Sequence, residues 1–554
     1  MSNPSVVEYV VQRLAALGIE HVFGVPGDYA FPFDDAIESS AAVTWVADAN
    51  ELNAAYAADG YARIRGAAIM CTTFAVGELS ALNGVMGSKA EHLPVFHLVG
   101  QPSTRLQRGH RIVHHSFGDG VFGNFQPSSW VSACAYTNLT PENTVAEMER
   151  VISEALANRQ PAYIAVPEDY AYLPVQGEPV AGIPLADVPP RPSDPHALDE
   201  AVDALLKRLK SAKHPVVLAA YTVGRYGLQQ GLEKFLAASG LPYATTPMDK
   251  AVISESHPQF LGMYSGPKSG DGVRETVEGA DLVLNLGGVV FSDINTMFYM
   301  DAIDPACMVT VWPDYVEVGD TTFSPLSMAD VLRRLAEATP KFATPAISSP
   351  VAPVVTGDTD DLISSASFYS RLHGFLRPRD IVVAETGMCT GSMAAMHLPD
   401  GAAFHNQSLW ASIGWATGAA LGTSLADPRR RTVLVTGDGA HQMTANEIGA
   451  MGRAGVKPVI FVLNNGMYGL EEILSQHEGH DYDRLAPWEY HLLPKALGCK
   501  DWFTARVTTN AELDAALTRA GQQNDASYIE VVLQHADIGP SLPRSLTNRI
   551  YETT

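Results

Sequence analysis

The stretch that decides the fold is "TVLVTGDGAHQMTANEIGAMGRAG", residues 432–455, with "KPVIFVLNNGMYG", residues 457–469, directly behind it. Each segment opens with a run of β-branched and apolar residues, which is typical of a strand buried in a parallel sheet. The first run ends in Gly437-Asp438-Gly439 and leads into a helical pattern, and the second ends in Asn464-Asn465. This order of strand, glycine turn, helix and strand predicts a βαβ unit of a doubly wound α/β domain.

The residues at these two turns also predict a ligand. Glycines let a backbone approach a phosphate closely, and ligands of such domains bind at the carboxyl ends of the parallel strands. Asp438 would repel a phosphate there unless a cation lay between them, so we expect Mg²⁺ with oxygen ligands. Asn465 ends the next strand at the same edge and can share that ion. An isolated Gly-Asp-Gly could be a surface turn, but the combined pattern is more specific.

Similar alternation of short apolar runs and helical patterns continues along the chain. Proline-rich stretches at residues 182–195 and 344–359 interrupt it. We therefore predict an α/β fold of three doubly wound parallel-sheet domains, at residues 1–180, 195–345 and 360–554.

Composition excludes several classes of partner. The chain has 554 residues and a formal net charge of −24, which argues against nucleic acid and anionic membranes, because both recruit clusters of Lys and Arg. Its five cysteines follow no CxxC spacing, so neither a disulfide framework nor a zinc ribbon is indicated. No apolar run reaches the ~18 residues of a membrane span, and no signal peptide is evident. We expect a cytoplasmic protein.

The Gly-Asp-Gly and Asn-Asn elements resemble those of thiamin diphosphate enzymes, and over nearly its whole length the chain is similar to the 2-keto acid decarboxylases. That family includes the pyruvate, indolepyruvate, phenylpyruvate and branched-chain enzymes. The resemblance implies a pyrimidine-binding domain, a middle domain and a diphosphate-binding domain. It also implies a lyase that converts a 2-keto acid to an aldehyde and CO₂, with thiamin diphosphate and Mg²⁺ as cofactors.

For the last domain, the resemblance implies that Asp438, Asn465 and the main-chain carbonyl of Met467 hold Mg²⁺. Ile413 would wedge between the two cofactor rings, and Ala411, where a glycine is usual, would offer its carbonyl to the 4′-amino group. An ordinary core isoleucine fits the sequence at residue 413 nearly as well. The full set of implied cofactor contacts is Thr386, Met388, Ala411, Ile413, Gly437, Asp438, Gly439, Ala440, Asn465 and Tyr468.

For the first domain, the resemblance implies that Glu51 bonds the pyrimidine nitrogen N1′. The double histidine in "RIVHHSFGDG", His114-His115, would share proton transfer with Asp28 of "GVPGD" and with Glu471. Alternatives remain for each: Glu51 as a glutamate favoured by the helix dipole, the histidines as loop residues bonded to backbone, and Glu472 in place of Glu471. A metal at the histidine pair is disfavoured, because adjacent loop residues seldom reach one ion without strain.

The predicted substrate pocket is lined by Met388, Gly391, Leu470 and Leu474. Pyruvate-specialised relatives carry an aromatic residue near the position of Gly391. Its absence predicts a larger, apolar pocket and a preference for aromatic or long and branched 2-keto acids over pyruvate.

Related activities and assembly states stay open at this point. An acetolactate synthase-like carboligase, a flavin-dependent oxidase of the same fold and a non-catalytic binding protein are alternatives, but the histidine pair with Glu471 favours decarboxylation. The family places its cofactor between the first domain of one subunit and the last domain of another. The resemblance therefore implies a homodimer as the minimum active unit and favours a homotetramer.

Overall fold

The computed structural model describes residues 3–270, 272–296, 302–344, 354–475, 479–522, 525–535 and 537. Within them the chain forms three sheets with helices between the strands, in the order of the three predicted domains. The predicted α/β class with three parallel-sheet units is confirmed, and the domain boundaries at 1–180, 195–345 and 360–554 stay predictions.

The N-terminal sheet has the order β2-β1-β3-β4-β6-β5, and all of its neighbouring strands are parallel. Its first helix starts with a capping box formed by Ser5 and Glu8, whose backbone and side-chain groups bond reciprocally. The strands are β1 (His21–Gly24), β2 (Thr44–Ala47), β3 (Ala68–Thr73), β4 (Val95–Gln101), β5 (Ala135–Asn138) and β6 (Ala162–Pro167). The helices are α1 (Val6–Ala15), α2 (Phe31–Glu38), α3 (Glu51–Arg65), α4 (Val76–Ala90), α5 (Thr104–Arg108), α6 (Gln126–Ser132), α7 (Thr144–Asn158) and α8 (Glu168–Ala171).

The middle sheet has the order β13-β12-β11-β10-β7-β8-β9. It is parallel except at one edge, where β12 and β13 run antiparallel to their neighbours, a feature that the sequence pattern did not predict. Its strands are β7 (Pro215–Ala219), β8 (Tyr243–Thr245), β9 (Phe260–Met263), β10 (Leu282–Leu286), β11 (Met308–Val311), β12 (Val316–Val318) and β13 (Thr321–Phe323). Its helices are α9 (Pro195–Ser211), α10 (Tyr221–Arg225), α11 (Gln229–Ser239), α12 (Val273–Glu278), α13 (Asp293–Thr296) and α14 (Met328–Ala338).

The C-terminal sheet has the order β15-β14-β16-β17-β19-β18 and is parallel throughout. Its strands are β14 (Ile381–Ala384), β15 (Ala403–His405), β16 (Thr432–Gly437), β17 (Val459–Asn464), β18 (Phe503–Val507) and β19 (Ser527–Val532). Its helices are α15 (Ser365–Phe375), α16 (Met388–Ala394), α17 (Trp415–Ala426), α18 (Asp438–Thr444), α19 (Glu447–Ala454), α20 (Gly469–Leu474), α21 (Leu493–Ala496) and α22 (Asn510–Gln522).

The N-terminal and C-terminal sheets are joined by close packing of α3 against α17. A Cβ added at Gly60 would lie 2.3 Å from the carbonyl oxygen of Ala419, and one at Gly422 would lie 1.9 Å from that of Ala57. The two backbones therefore approach closely only because these positions have no side chain. This contact fixes the end of α3 that carries Glu51 relative to the C-terminal sheet.

Among the described residues, no helix combines the length and the apolar character needed to cross a bilayer.

Candidate functional site

Pairing of β16 with β17 brings the predicted metal ligands to one edge of the C-terminal sheet. Gly437 lies opposite Leu463 in that pairing, so Asp438 and Asn465 leave neighbouring strands side by side. The Asp438 carboxylate accepts hydrogen bonds from the backbone N–H of Gly466 at 2.7 Å and of Gly439 at 2.9 Å. The Asn465 side-chain oxygen accepts the N–H of Met467 at 3.4 Å. The three predicted ligands thus belong to one connected turn.

Burial makes this carboxyl group suited to a cation. Asp438 is only 2% exposed, and that burial raises its pKa to about 6, although backbone N–H groups oppose the shift. A nearby cation would restore the carboxylate. Beside it, a side chain at Gly437 would meet no atom within 4 Å, whereas one at Gly439 would lie 2.5 Å from the Tyr468 ring. Open space next to a buried acid, with a ring covering the other glycine, fits Mg²⁺ and a diphosphate.

Ala411 stands in a strained turn above this edge. Its φ is 55°, in the left-handed region that residues with a Cβ rarely occupy. Ile413 follows it and is half-buried. The turn ends at Gly414, whose carbonyl accepts the Thr444 hydroxyl at 2.7 Å, and a Cβ at Gly414 would lie 3.2 Å from the carbonyl oxygen of Ala440. Helix α18 therefore packs against the end of this turn.

Glu385 is a site residue to which sequence reasoning assigned no role. It is 1% exposed, and burial raises its pKa to about 7. Its carboxyl group accepts the N–H of Thr386 at 3.1 Å and the Thr436 hydroxyl at 3.3 Å, and it also bonds the backbone of Gly414 and Ala416. One buried carboxyl group thus joins the Thr386 turn, β16 and the end of the Ala411 turn. Glu385 directly follows the apolar strand β14 and opens the run "ETGMCTGSM", residues 385–393, so a glutamate at the end of an apolar run was the available signal.

The predicted substrate-pocket residues lie on α16 and α20. A Cβ at Gly387, which precedes Met388, would lie 3.4 Å from the Leu470 side chain, so these two helices are neighbours. Gly391 is exposed, and a side chain there would meet no atom within 4 Å. Leu474 is half-buried at the end of α20. The space beside Gly391 is open in the single chain.

The histidine pair converges with Asp28 at the carboxyl edge of the N-terminal sheet. The His114 Nε2 lies 2.7 Å from the Asp28 carboxylate, and its ring stacks on Tyr29 with centroids 4.9 Å apart. The His115 ring lies 4.5 Å from the His114 ring, and the ligand atoms of Asp28, His114 and His115 lie within 4.8 Å of one another. This spacing is compatible with proton exchange or with a shared ion. The convergence of the two adjacent histidines is accompanied by the backbone strain that was expected, because His115 has a φ of 58°.

The surroundings of His115 favour the neutral imidazole. Partial burial lowers its pKa, the neighbouring His114 lowers it further, and Asp28 acts in the opposite direction. Its Nδ1 is buried and has no hydrogen-bond partner in the described part of the chain. An unprotonated ring with a free nitrogen can accept or relay a proton at ordinary pH.

Glu51 is the first residue of α3 and is half-buried. The N-cap of this helix is Asn50, whose side chain accepts the N–H of Asn53 at 2.9 Å, so the carboxylate of Glu51 is not used for capping. A Cβ at Gly77 would lie 3.4 Å from Glu51 Oε1, which places Glu51 beside the start of α4. The residue before that helix, Ala75, is also strained, with a φ of 54°.

The structure does not bring all the predicted catalytic residues together within one chain. Glu471 is exposed on α20, and in the described residues it makes no hydrogen bond or ion pair with Asp28, His114 or His115. Nor does Glu51 make one with Asp438. The candidate site thus consists of an N-terminal group and a C-terminal group that share none of these bonds within the described residues. The assigned roles of all these residues stay predictions.

Comparison with protein families matches the three sheets separately. Residues 4–123 match the thiamine pyrophosphate enzyme N-terminal TPP binding domain, residues 202–337 its central domain and residues 385–531 its C-terminal TPP binding domain. Thiamine pyrophosphate is another name for thiamin diphosphate. The first segment contains Asp28, Glu51 and both histidines, and the last contains Asp438 and Asn465.

Similar curated proteins extend the match to the full length. The chain is 40% identical over 560 residues to an alpha-keto-acid decarboxylase of Mycobacterium leprae (strain TN), covering 98% of this chain and 96% of that protein. It is 40% identical over 545 residues to the protein of the same name from Mycobacterium bovis (strain BCG / Pasteur 1173P2), with 96% and 95% covered. It is 39% identical over 556 residues to that of Mycobacterium avium (strain 104), with 99% and 97% covered.

Proposed function

Because the chain belongs to the thiamin diphosphate-dependent 2-keto acid decarboxylases, we propose that it releases CO₂ from 2-keto acids larger than pyruvate, with its cofactor held through Mg²⁺. The observation that carries the substrate part of this proposal is the open space at Gly391 on α16, four residues after Gly387, whose added Cβ would lie 3.4 Å from Leu470. The observation that carries the metal part is the buried Asp438 carboxyl group at the strand ends with Asn465.

In this proposal, each group of residues has its own task. Asp438, Asn465 and the Met467 carbonyl would hold Mg²⁺, and Ala411 and Ile413 would orient the cofactor rings. When bound, thiamin diphosphate supplies an electron-accepting ring that allows the bond to the carboxylate carbon to break. The protein's part is to bind, to orient and to transfer protons.

Proton transfer falls to the N-terminal group together with Glu471. Glu51 would bond the pyrimidine nitrogen N1′ and favour its protonated form. His114 can hold a proton between its Nε2 and the Asp28 carboxylate 2.7 Å away, and His115 offers a neutral ring beside it. Together they could deliver the proton needed for aldehyde release. Glu471 would serve the same steps from α20.

Assembly would complete the site. The chain exposes apolar side chains at the start of α4, in the turn that contains Ala411 and on α18, a pattern that marks an interaction surface. We propose that this surface is the interface of a homodimer, and that two dimers form the homotetramer. The exposed residues are Val76, Leu79, Leu409, Trp410 and Met443. A Leu79→Arg variant should sediment as a monomer and lose activity, whereas Val180→Arg, at an exposed valine elsewhere, should not.

The reaction class is tested by CO₂ release with aldehyde detection, after the purified protein has been reconstituted with thiamin diphosphate and Mg²⁺. Decarboxylation is expected without a flavin absorbance band. Acetohydroxy acid as the main product would instead identify a carboligase. Glu51→Gln should retain the fold but lose turnover, and it should slow deuterium exchange at the cofactor C2.

The substrate class is tested by kcat/KM for pyruvate, 2-ketoisovalerate, benzoylformate, phenylpyruvate and indolepyruvate. Each further methylene buried in the pocket is worth ~0.8 kcal/mol, or about fourfold in preference. Gly391→Phe should shift preference toward pyruvate. The matched control is Gly374→Phe on α15, where a side chain also meets no atom within 4 Å. A clear optimum at pyruvate in the wild type would contradict the proposal.

A further inference from the structure

The turn that contains Ala411 is held by one face of helix α4, which belongs to the N-terminal sheet. Asn83 accepts the indole N–H of Trp410 at 2.8 Å and donates to the Ser412 hydroxyl at 3.0 Å. These two contacts bracket Ala411 on both sides. One helix side chain therefore fixes both neighbours of the strained residue.

Two further positions on the same face support this contact. Gly87 lies one turn after Asn83, and a Cβ there would lie 2.8 Å from the Gln407 amide nitrogen and 3.0 Å from the Trp410 ring. Glu91 lies one turn further and accepts the N–H of Leu409 at 3.2 Å. Positions four residues apart share a helix face, so this side of α4 follows the turn from residue 407 to residue 412.

Helix α3 adds a second support through Tyr56. Its hydroxyl lies 2.5 Å from the Ser412 hydroxyl, and it also accepts the Asn83 side-chain N–H at 3.0 Å. The backbone N–H of Ser412 donates to the side-chain oxygen of Gln407 at 2.9 Å. Ser412 is thus held by three side chains from three different segments.

This arrangement explains how an alanine can occupy a left-handed turn. At a φ of 55° a residue with a Cβ is disfavoured, and it persists only where its surroundings hold it. Glycine adopts the same conformation without that penalty. The hydrogen bonds of Trp410 and Ser412 hold the residues on both sides of Ala411 and so offset the conformational penalty of its Cβ.

We propose that Asn83, assisted by Tyr56, is a positioning residue that keeps Ala411 in the left-handed conformation and so fixes the Ala411 carbonyl and Ile413 for cofactor binding. This inference rests on the proposed role of Ala411 and Ile413 toward thiamin diphosphate. The conformational part of it does not depend on that role and can be measured in the protein without cofactor.

A double-mutant cycle tests the coupling. Asn83→Ala should raise the Kd for thiamin diphosphate, at saturating Mg²⁺, about tenfold, in the range found for directly coupled residues. In an Ala411→Gly background the same change should cost less than about threefold, because glycine needs no support. Asn158→Ala is the matched control, since that helical asparagine lies on α7 and donates to the Glu154 carbonyl of its own helix at 2.8 Å. An equal loss in both backgrounds would overturn the proposal.

A second measurement separates positioning from cofactor binding. Hydrogen–deuterium exchange of the peptide covering residues 407–414, in cofactor-free protein, should accelerate in Asn83→Ala and Tyr56→Phe, with a smaller increase in the Ala411→Gly background. If exchange accelerates in this way while the Kd for thiamin diphosphate stays unchanged, the positioning role is supported and the proposed role of the Ala411 carbonyl is refuted. Unchanged exchange in both variants would refute the positioning role itself.

A size-conserving variant covers the case in which Asn83→Ala does not fold. Asn83→Asp loses the N–H donors to Ser412 and Tyr56 but can still accept the Trp410 indole N–H. It should give the same coupling with Ala411→Gly. Wild-type behaviour of Asn83→Asp in both measurements would also overturn the proposal.

Discussion

The two halves of the candidate site differ in how the chain holds their charged groups. Asp438 is 2% exposed and is bonded by backbone N–H groups at the end of a central strand. The Asp28 and His114 side chains are 42% and 55% exposed, and they meet through one another and through Tyr29. In the proposed function the C-terminal half would therefore serve as a rigid cation and anion site, and the N-terminal half as a water-accessible proton site.

This difference matches two different physical requirements. A cofactor held through a metal needs fixed ligands, because misplaced oxygens lose affinity steeply. A group that exchanges protons needs access to solvent or substrate and an ionisation near the working pH. We therefore expect substitutions in the C-terminal half to act on cofactor affinity and those in the N-terminal half to act on turnover.

The largest effect should come from Asp438→Ala. Without this carboxylate the diphosphate charge faces no fixed cation, so the Kd for thiamin diphosphate should rise by more than ~100-fold, beyond the loss typical of residues that only support metal ligands. Calorimetric titration with and without Mg²⁺ measures it. Asp360→Ala, at an exposed aspartate before α15, is the control. If Asp438→Ala bound thiamin diphosphate tightly without Mg²⁺, the expectation that the C-terminal half controls cofactor affinity would be wrong.

The next effect should come from His115→Asn, which removes the imidazole with a residue that tolerates a positive φ. We expect kcat to fall about 10²- to 10⁴-fold while cofactor Kd stays within about twofold. Single-turnover kinetics and titration separate the two quantities. His110→Asn is a matched control, because His110 also has a positive φ but bonds the Gly120 carbonyl at 3.0 Å. A parallel loss of cofactor affinity would show that the halves are not functionally distinct.

A smaller effect should appear in the titration of His115 itself. His114 lowers the pKa of His115, so His114→Gln should raise that pKa toward its ordinary value. Because His115 is neutral above its pKa, any acid-side loss of activity that it controls should move to higher pH. NMR of labelled histidines reports the shift directly. The control is the NMR signal of His196, an exposed side chain near Glu200 on α9, which should be the same in both proteins. A fall in the pKa of His115 would contradict the assigned repulsion.

The smallest effect should be on stability, through Asp34 on α2. Burial raises the pKa of this carboxyl group to about 7, from 3.8, and its Oδ2 has no hydrogen-bond partner among the described residues. The folded state then holds a proton that the unfolded state releases, so stability falls as pH rises from about 4 to 7 and changes no further above 7. As pH rises from about 4 to 7, the midpoint temperature of unfolding of the wild type should fall relative to that of Asp34→Asn. Asp35→Asn, at the exposed neighbour, should follow the wild type.

The sequence pattern predicted many of the buried strands of the three sheets but not the short strands at the edge of the middle sheet. The alternation of apolar runs and helical patterns identified β1, β3, β4, β7, β8, β10, β11, β14, β16, β17 and β19, because buried parallel strands need continuous apolar runs. It did not identify β2, β5, β6, β9, β15 or β18, and it missed the hairpin of β12 and β13, whose strands have three residues each and carry polar side chains at the sheet edge. Such short edge strands have no distinctive pattern.

Within the site, predictability depended on whether partners were close in sequence. Asp438 and Asn465 follow consecutive strands, so their meeting could be inferred from the strand order. The contact of Asn83 with Trp410 and Ser412 joins residues more than 300 positions apart, and no local pattern announces it. Glu385 was overlooked for the same reason, since its importance lies in the backbone groups that converge on it. The histidine pair was placed by family resemblance, and not by its spacing.

The α3–α17 contact has a consequence for synthesis of the chain. The ribosome makes α3 first and must add about 350 residues before α17 exists, which at about 5–20 residues per second takes roughly 20 to 70 s. During that interval the α3 face stays without its partner. Among the residues of that face that approach α17 most closely are Asn53, Tyr56, Ala57 and Gly60, and none of these is leucine, isoleucine, valine or phenylalanine. A nascent chain with so little apolar area to hide should need less chaperone protection there than a leucine-rich helix would.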